Sequence, residues 1–274
     1  MRNFDKKTVD DFGKEWNRFK QDNNILETDK IYEDYFSIFP FDKLNKNSIG
    51  FDAGCGSGRW SKYFVKIAKH LDCIEPSIDA LNVAKSRLEK FKNINFFNQT
   101  IDEYFSNTNT EYDFGFSLGV LHHIPNIKSA LNKINKKLKK NAPFLIYVYY
   151  NFENRSFLFK SIWFLSNMLR ILISKLPNKV KFIICDMIAL IIYLPLSTAN
   201  KHLYNLGIKF ELPLFYYKDK SFYTMRTDAL DRFGTRLERR FSKKQIETLL
   251  KDTGYENIIF SKKKPYWVIL CSKK

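Results

Sequence analysis

The chain has 274 residues, 45% hydrophobic and 16% aromatic, enough for one substantial core and an accessory layer. Its 46 Lys and Arg against 29 Asp and Glu leave a formal charge of +17, compatible with nucleic acid, anionic lipid or an acidic substrate; scattered runs such as KKLKK and SKKKPYW favour plain solvated faces. Cys55, Cys73, Cys185 and Cys271 lack C-x-x-C spacing and at least three lie in apolar or strand-like segments, which argues against a disulfide framework or a zinc site; no metal ligand set is expected. The first residues hold no apolar stretch of the secretory kind, so a cytoplasmic protein is expected.

Residues 8–21 place Val9, Phe12, Trp16 and Phe19 on one face of a predicted helix, and a second helix is predicted over 27–39, stopped at Pro40. Residues 48–53 then read as a buried strand running into Gly54, Gly56 and Gly58 and a helix-like RWSKYFVKIAKHL. Such a turn lets backbone N–H groups at a helix N-terminus approach a ligand. A dinucleotide fingerprint registered on Gly54 and Gly56 would need glycine where Arg59 stands. Asp52 at the mouth of the turn suits a ligand with a cationic group, which favours the ammonium of S-adenosylmethionine over a pyrophosphate. HLDCIEPS is a second strand ending at Glu75, about twenty residues on, where a carboxylate can accept both ribose hydroxyls.

The spacing predicts a helix over 77–91, an edge strand over 94–98 and a fourth strand over 111–118, ending at Leu118 on the side where such sheets bind ligands. His122 and His123 follow at once. A basic amphipathic helix is predicted over 127–140 and a buried fifth strand over 142–149, ending at Tyr149. FDAGCGSGRW, IEPS and YDFGFSLGVLHHIPN resemble, in order, the successive motifs of the class I S-adenosylmethionine-dependent methyltransferases, over roughly residues 47–150 with a looser match after Phe241.

The resemblance implies an α/β fold, a Rossmann-like seven-stranded mostly parallel sheet with an antiparallel last strand, and a cofactor released as S-adenosylhomocysteine. It implies that Pro76 accompanies Glu75, that Ile101 and Asp102 line the adenine, that Leu118 lies at the cofactor, and that Trp16, in an FG-x-EW-x-x-F segment, folds over its mouth with Phe12 or Phe19. Asp102 also suits the N-cap of a short DEYF turn. An N/D-P-P-Y/F signature, used by enzymes that methylate adenine or glutamine amino groups, is missing. His122, His123 and Tyr149 are the candidates for the reacting end.

Between Tyr150 and Phe241 the chain exceeds what the core needs. Two strongly apolar helices are predicted, over 156–176 and 179–194, ended by Pro177 and Pro195. The window FIICDMIALIIYLPL makes about 22 Å of helix, short of a bilayer core of about 30 Å, so a helical cap over the acceptor is expected ahead of a homodimer interface or a membrane-surface contact. Residues 221–241 then carry Tyr223, Arg226, Asp228, Arg232 and Arg236, either a clamp for an anionic acceptor or a salt-bridge lattice. Ser242 caps a last helix ended by Gly254, and 255–261 with 266–272 form a closing hairpin. The expected organisation is an N-terminal helical segment over the cofactor (1–46), the binding core (47–150), the cap (151–241) and the completing helix and hairpin (242–274).

The function expected is methyl transfer to a small-molecule sulfur, nitrogen or oxygen nucleophile. The alternatives are an RNA methyltransferase, against which the apolar insertion and the missing RNA-binding motif speak, a lipid or quinone methyltransferase, and a non-catalytic cofactor-binding subunit.

Overall fold

Seven strands form one sheet in the order β3-β2-β1-β4-β5-β7-β6, parallel except for β7, which runs antiparallel to both its neighbours. The computed structural model describes residues 3–19, 25–208, 210, 212–263 and 267–274. In chain order the elements are α1 (Lys6–Arg18), α2 (Ile25–Phe36), β1 (Ile49–Ala53), α3 (Ser61–Phe64), β2 (His70–Ile74), α4 (Ile78–Leu88), β3 (Ile94–Phe97), α5 (Ile101–Asn107), β4 (Phe114–Leu118), α6 (Ile127–Lys137) and β5 (Pro143–Tyr147). There follow α7 (Phe157–Ile173), α8 (Asn178–Ile188), α9 (Leu194–Asn205), α10 (Phe222–Gly234), α11 (Lys243–Asp252), β6 (Tyr255–Phe260) and β7 (Val268–Lys273). The expected ends of the first helix at Gln21 and of the hairpin at Tyr266 lie outside the described residues.

The sheet is buried on both faces. Phe51, Ala53, Ile74, Phe144 and Ile146 pack toward α5, α6 and α11, while Leu71, Cys73, Phe114, Phe116 and Leu145 pack toward α2, α3 and α4. At the centre, β1 and β4 interlock through a reciprocal pairing: Gly50 lies opposite Phe114, and Phe51 opposite Gly115. A Cβ at either glycine would stand 2.1 Å from the facing ring, so each glycine makes the room its partner's phenylalanine fills. Overfilling such a site costs about 1–3 kcal/mol. Strand order reverses between β1 and β4, and a ligand crevice opens outside the carboxyl ends of strands at such a switch point.

The chain divides into two compact units, Met1–Glu153 with Leu237–Lys274, and Asn154–Arg236. The first holds the whole sheet. In the second, α8, a π-helical turn (Ala189–Tyr193) and α9 make one unbroken helical run, Asn178–Asn205. The expected stop at Pro195 is therefore corrected. Proline lacks an N–H and clashes with the carbonyl four residues back; the wider turn, in which Leu194 N–H reaches Ala189 O, absorbs both effects just before Pro195. At 28 residues the run is long and apolar enough to cross a membrane, correcting the estimate that it falls short.

Candidate cofactor site

β1 ends at Ala53, and the chain turns with φ +84° at Gly54 and +52° at Gly56, a region that L side chains rarely adopt. Space is closed as well, since a Cβ on Gly54 would come within 2.3 Å of Val120 Cγ2 and one on Gly56 within 3.2 Å of the Trp16 indole nitrogen. The backbone amides here are already engaged. Gly54 N–H and Cys55 N–H both donate to Ile74 O, at 2.8 and 3.1 Å, and Gly56 N–H donates to Glu75 Oε2 at 3.0 Å. What the turn offers a ligand is thus close approach and an adjoining carboxylate rather than a nest of bare donors.

Glu75 follows directly on β2, its other oxygen accepting from Ser77 N–H at 2.9 Å. Burial pushes its carboxyl up to about 7, while the hydrogen bonds from Ser77 and Gly56 act the other way. The cavity beside it encloses roughly 900 Å³, counting the part open to solvent. Of the expected cofactor residues, Trp16, Gly54, Gly56, Glu75, Pro76, Ile101 and Leu118 line it. α1 is seated there by a close helix crossing: a Cβ on Gly13 would stand 2.2 Å from Ser77 Oγ, the cap of α4. Phe12 and Trp16 consequently face the cavity, whereas Phe19 is buried elsewhere.

Three expected cofactor contacts are corrected. Asp52 does not line the cavity; it is 2% exposed and accepts from Ser61 Oγ at 2.6 Å, at the start of α3, and burial pushes its carboxyl up to about 7. Gly58, at φ +71°, keeps α4 close, a Cβ there meeting Leu88 Cδ1 at 2.9 Å. Asp102 is drawn away from the cavity, accepting from Asn3 Nδ2 at 2.8 Å, Ser129 Oγ at 2.8 Å and Lys133 Nζ at 2.6 Å. It ties α5 to α6 and to the N-terminal strap, and the N-cap expected of it falls to Thr100.

At the expected reacting end, only His123 reaches the cavity. Its Nδ1 contacts Leu237 O, which can only accept, so in the neutral ring Nδ1 carries the proton and Nε2 is the basic nitrogen. Phe12 meets the ring edge-on, centroids 4.9 Å apart. His122 is completely buried beneath, stacked 3.9 Å from Tyr149, with neither ring nitrogen hydrogen-bonded, and burial holds its pKa well below the usual range. Tyr149 packs between that ring and the Arg240 guanidinium, 4.9 Å above it. His122 and Tyr149 are therefore supports rather than reacting groups.

The arginine segment resolves toward the lattice. Arg226 forks onto Asp186 at 3.0 and 2.9 Å, Asp228 accepts from Tyr217 Oη at 2.9 Å, and Arg232 donates to Ser166 Oγ at 3.1 Å. The Arg236 carbonyl accepts from the buried Arg170 at 3.2 Å. Tyr223 sits in α10. In the first unit, Arg59, stacked 4.3 Å over Trp60, and Asn3, Asp5 and Thr8 of the N-terminal segment also line the cavity. Arg59 stands inside the glycine motif and could have been singled out there; the strap carries no signal beyond the Asp5 cap on Thr8 N–H at 2.7 Å.

Residues 51–144 match the family model described as a methyltransferase domain. Those residues make up about a third of the chain. Among solved structures, the whole chain is similar to magnesium protoporphyrin IX methyltransferase from Synechocystis with bound S-adenosylhomocysteine, at 10% identity over 97% of this chain and 98% of that one, TM-score 0.56. It is also similar to an S-adenosylmethionine-dependent methyltransferase from Thermotoga maritima, described as a possible histamine N-methyltransferase, at 14% identity over 96% and 99% of the two chains, TM-score 0.50. No curated protein matches the chain. The structural likeness is one of fold, and within it the matched stretch runs from inside β1 through β4, taking in the glycine turn and Glu75.

Proposed function

We propose that the protein transfers a methyl group from S-adenosylmethionine to a small-molecule sulfur, nitrogen or oxygen nucleophile, and does so in the cytoplasm. The observation that supports this most is the cavity at the β1–β4 switch point, where Glu75, Trp16, Ile101 and Leu118 converge on the glycine turn. Those residues fit the group. Glu75 can accept the two ribose hydroxyls, Ile101 and Leu118 offer apolar surface to the adenine, and Trp16 can close the mouth. The solved relatives of the same fold include enzymes described as acting on a porphyrin and, in one case, on a histamine-like amine, both small molecules.

When bound, S-adenosylmethionine supplies a methyl already activated by its sulfonium. The protein's part is positioning in a site with little water, where holding reactants at near-attack distance is worth about 7–11 kcal/mol. Phe12, Trp16 and Val120 provide the apolar wall that excludes water. His123 lines the cavity with its Nε2 shielded in the free protein, and it is the candidate to take the proton of an acceptor that arrives as a hydroxyl or ammonium once that nitrogen is uncovered; a thiolate needs no such help. The test is release of S-adenosylhomocysteine in the presence of thiol, amine and hydroxyl acceptors. Binding of S-adenosylmethionine by calorimetry with no release on any of them would identify a cofactor-sensing subunit instead.

A further inference from the structure

The second unit carries large apolar side chains on its outside as well as its inside. Among buried apolar groups such as Tyr193, Leu230 and Phe233 lie polar and charged ones: Lys181 is 1% exposed, Asn200 fully buried, and Arg170 and Ser197 nearly so. Asn200 takes Leu212 N–H at 2.9 Å and gives to Pro213 O at 3.0 Å, and Arg170 gives to Thr235 O at 2.8 Å. Outside lie large apolar ones. On α7, Leu158 is 69% exposed, Ile162 46%, Leu165 62%, Leu169 53% and Leu172 65%, a stripe at three- and four-residue spacing that faces solvent. On the helical run 178–205, Ile183 is 65% and Ile191 61% exposed. Scattered surface leucines need no explanation, but exposed apolar side chains along the length of two helices mark a surface that is covered.

We propose that this face docks on an anionic lipid surface, lying in the interface rather than spanning it. Spanning is disfavoured because the inner stripe of the run 178–205, Lys181, Cys185, Ala189, Tyr193, Ser197 and Asn200, is buried inside the unit, where α10 packs against α8. The charge pattern selects the occupant. Residues 154–210 contain eight Lys and Arg but a single acid, Asp186, and that one pairs with Arg226 at 2.9 Å. Lys160, Lys175, Lys179 and Lys201 are exposed in the same segment as the apolar side chains. A second copy using the same face would bring like charges together, whereas acidic headgroups match them, each cation near the surface being worth roughly fivefold in partitioning. Apolar side chains that enter the headgroup boundary beside lysines are the pattern of a helix lying in the interface plane.

The experiment is sedimentation of the full chain with phosphatidylcholine vesicles, with or without phosphatidylserine, over a salt series, alongside Leu165→Glu/Leu169→Glu and Lys175→Glu/Lys179→Glu variants. Both pairs are exposed, so unchanged thermal melting and unchanged S-adenosylmethionine binding verify folding. The expected result is binding to phosphatidylserine vesicles that weakens with salt, is weaker on phosphatidylcholine alone, and falls by about tenfold or more in each variant. No binding to either vesicle overturns the inference. So does binding that both variants retain, which would place the contact elsewhere in the chain. A dimer seen by ultracentrifugation and abolished by Leu165→Glu/Leu169→Glu, with no vesicle binding, would assign the face to a second copy.

Discussion

Replacing Glu75 tests the cofactor site at its most informative atom pair. Its carboxylate is 8% exposed and accepts two backbone N–H groups, Gly56 at 3.0 Å and Ser77 at 2.9 Å, while the ribose hydroxyls would donate to the same oxygens. One charge-assisted hydrogen bond is worth about 1.5–3 kcal/mol. At about 1.4 kcal/mol per tenfold, Glu75→Ala should weaken S-adenosylmethionine binding by about tenfold to a hundredfold. Glu75→Gln should lose nearly as much, because its NH2 must face either Gly56 N–H or Ser77 N–H, donor against donor. The pH profile separates the charge from the shape. The Glu75 carboxyl, pushed up to about 7, is protonated below that pH in the free protein, and only the ionised form accepts from both hydroxyls. Binding should therefore tighten as pH rises from 6 to 8 in the wild type and stay flat in Glu75→Gln. Stability of the free protein should run the opposite way. A folded pKa above the ordinary 4.5 means that the folded state holds a proton the unfolded state has lost, so this contribution is present below 4.5 and fades as pH rises through about 7. Asp52, also pushed up to about 7, contributes in the same direction, and Asp52→Asn is the control that removes its share. Calorimetric titration across pH is the assay. A Glu75→Ala protein binding within a factor of two of wild type, or a Glu75→Gln protein with the wild-type pH slope, would refute the reasoning.

Arg226→Ala removes a two-pronged ion pair whose partners are each about 30% exposed, so it should cost about 1 kcal/mol and lower the melting temperature by about 2–4 °C, leaving the acceptor KM unchanged. A raised KM at unchanged melting temperature would restore the anionic-acceptor clamp. His122→Phe should keep methyl transfer and match or exceed wild-type stability, because it replaces two buried ring nitrogens that find no partner. His123→Ala should instead lower kcat for hydroxyl acceptors, by about a hundredfold or more, and spare thiols; equal losses on both would remove His123 from proton transfer and leave it a wall of the cavity.

What the amino-acid order determined by itself was local. A strand of small and aromatic residues, a glycine turn, a carboxylate one strand later and the apolar runs of β4 and β5 are short-range patterns, and each survives in the folded chain where it was read. Glu75 and Leu118 were legible because motif order places them at the carboxyl ends of β2 and β4, and Trp16 and Ile101 because the resemblance assigns their segments to the cofactor. Direction was not legible. Asp52 and Asp102 are as acidic as Glu75 on paper, but Asp52 is claimed by Ser61 across the turn and Asp102 by Asn3, Ser129 and Lys133, partners up to 99 residues away. Adjacent His122 and His123 differ for the same reason, a 3₁₀ turn sending one ring to Tyr149 and the other to the cavity. Pro195 stops a helix in any local reading, and only the preceding π turn, packed against α10, lets the run continue. An apolar helix, too, says nothing of which way it faces. That Asn200 points inward while Leu165 and Ile183 point outward is decided by which neighbours satisfy the buried hydrogen bonds, a property of the packed unit and not of the window of sequence.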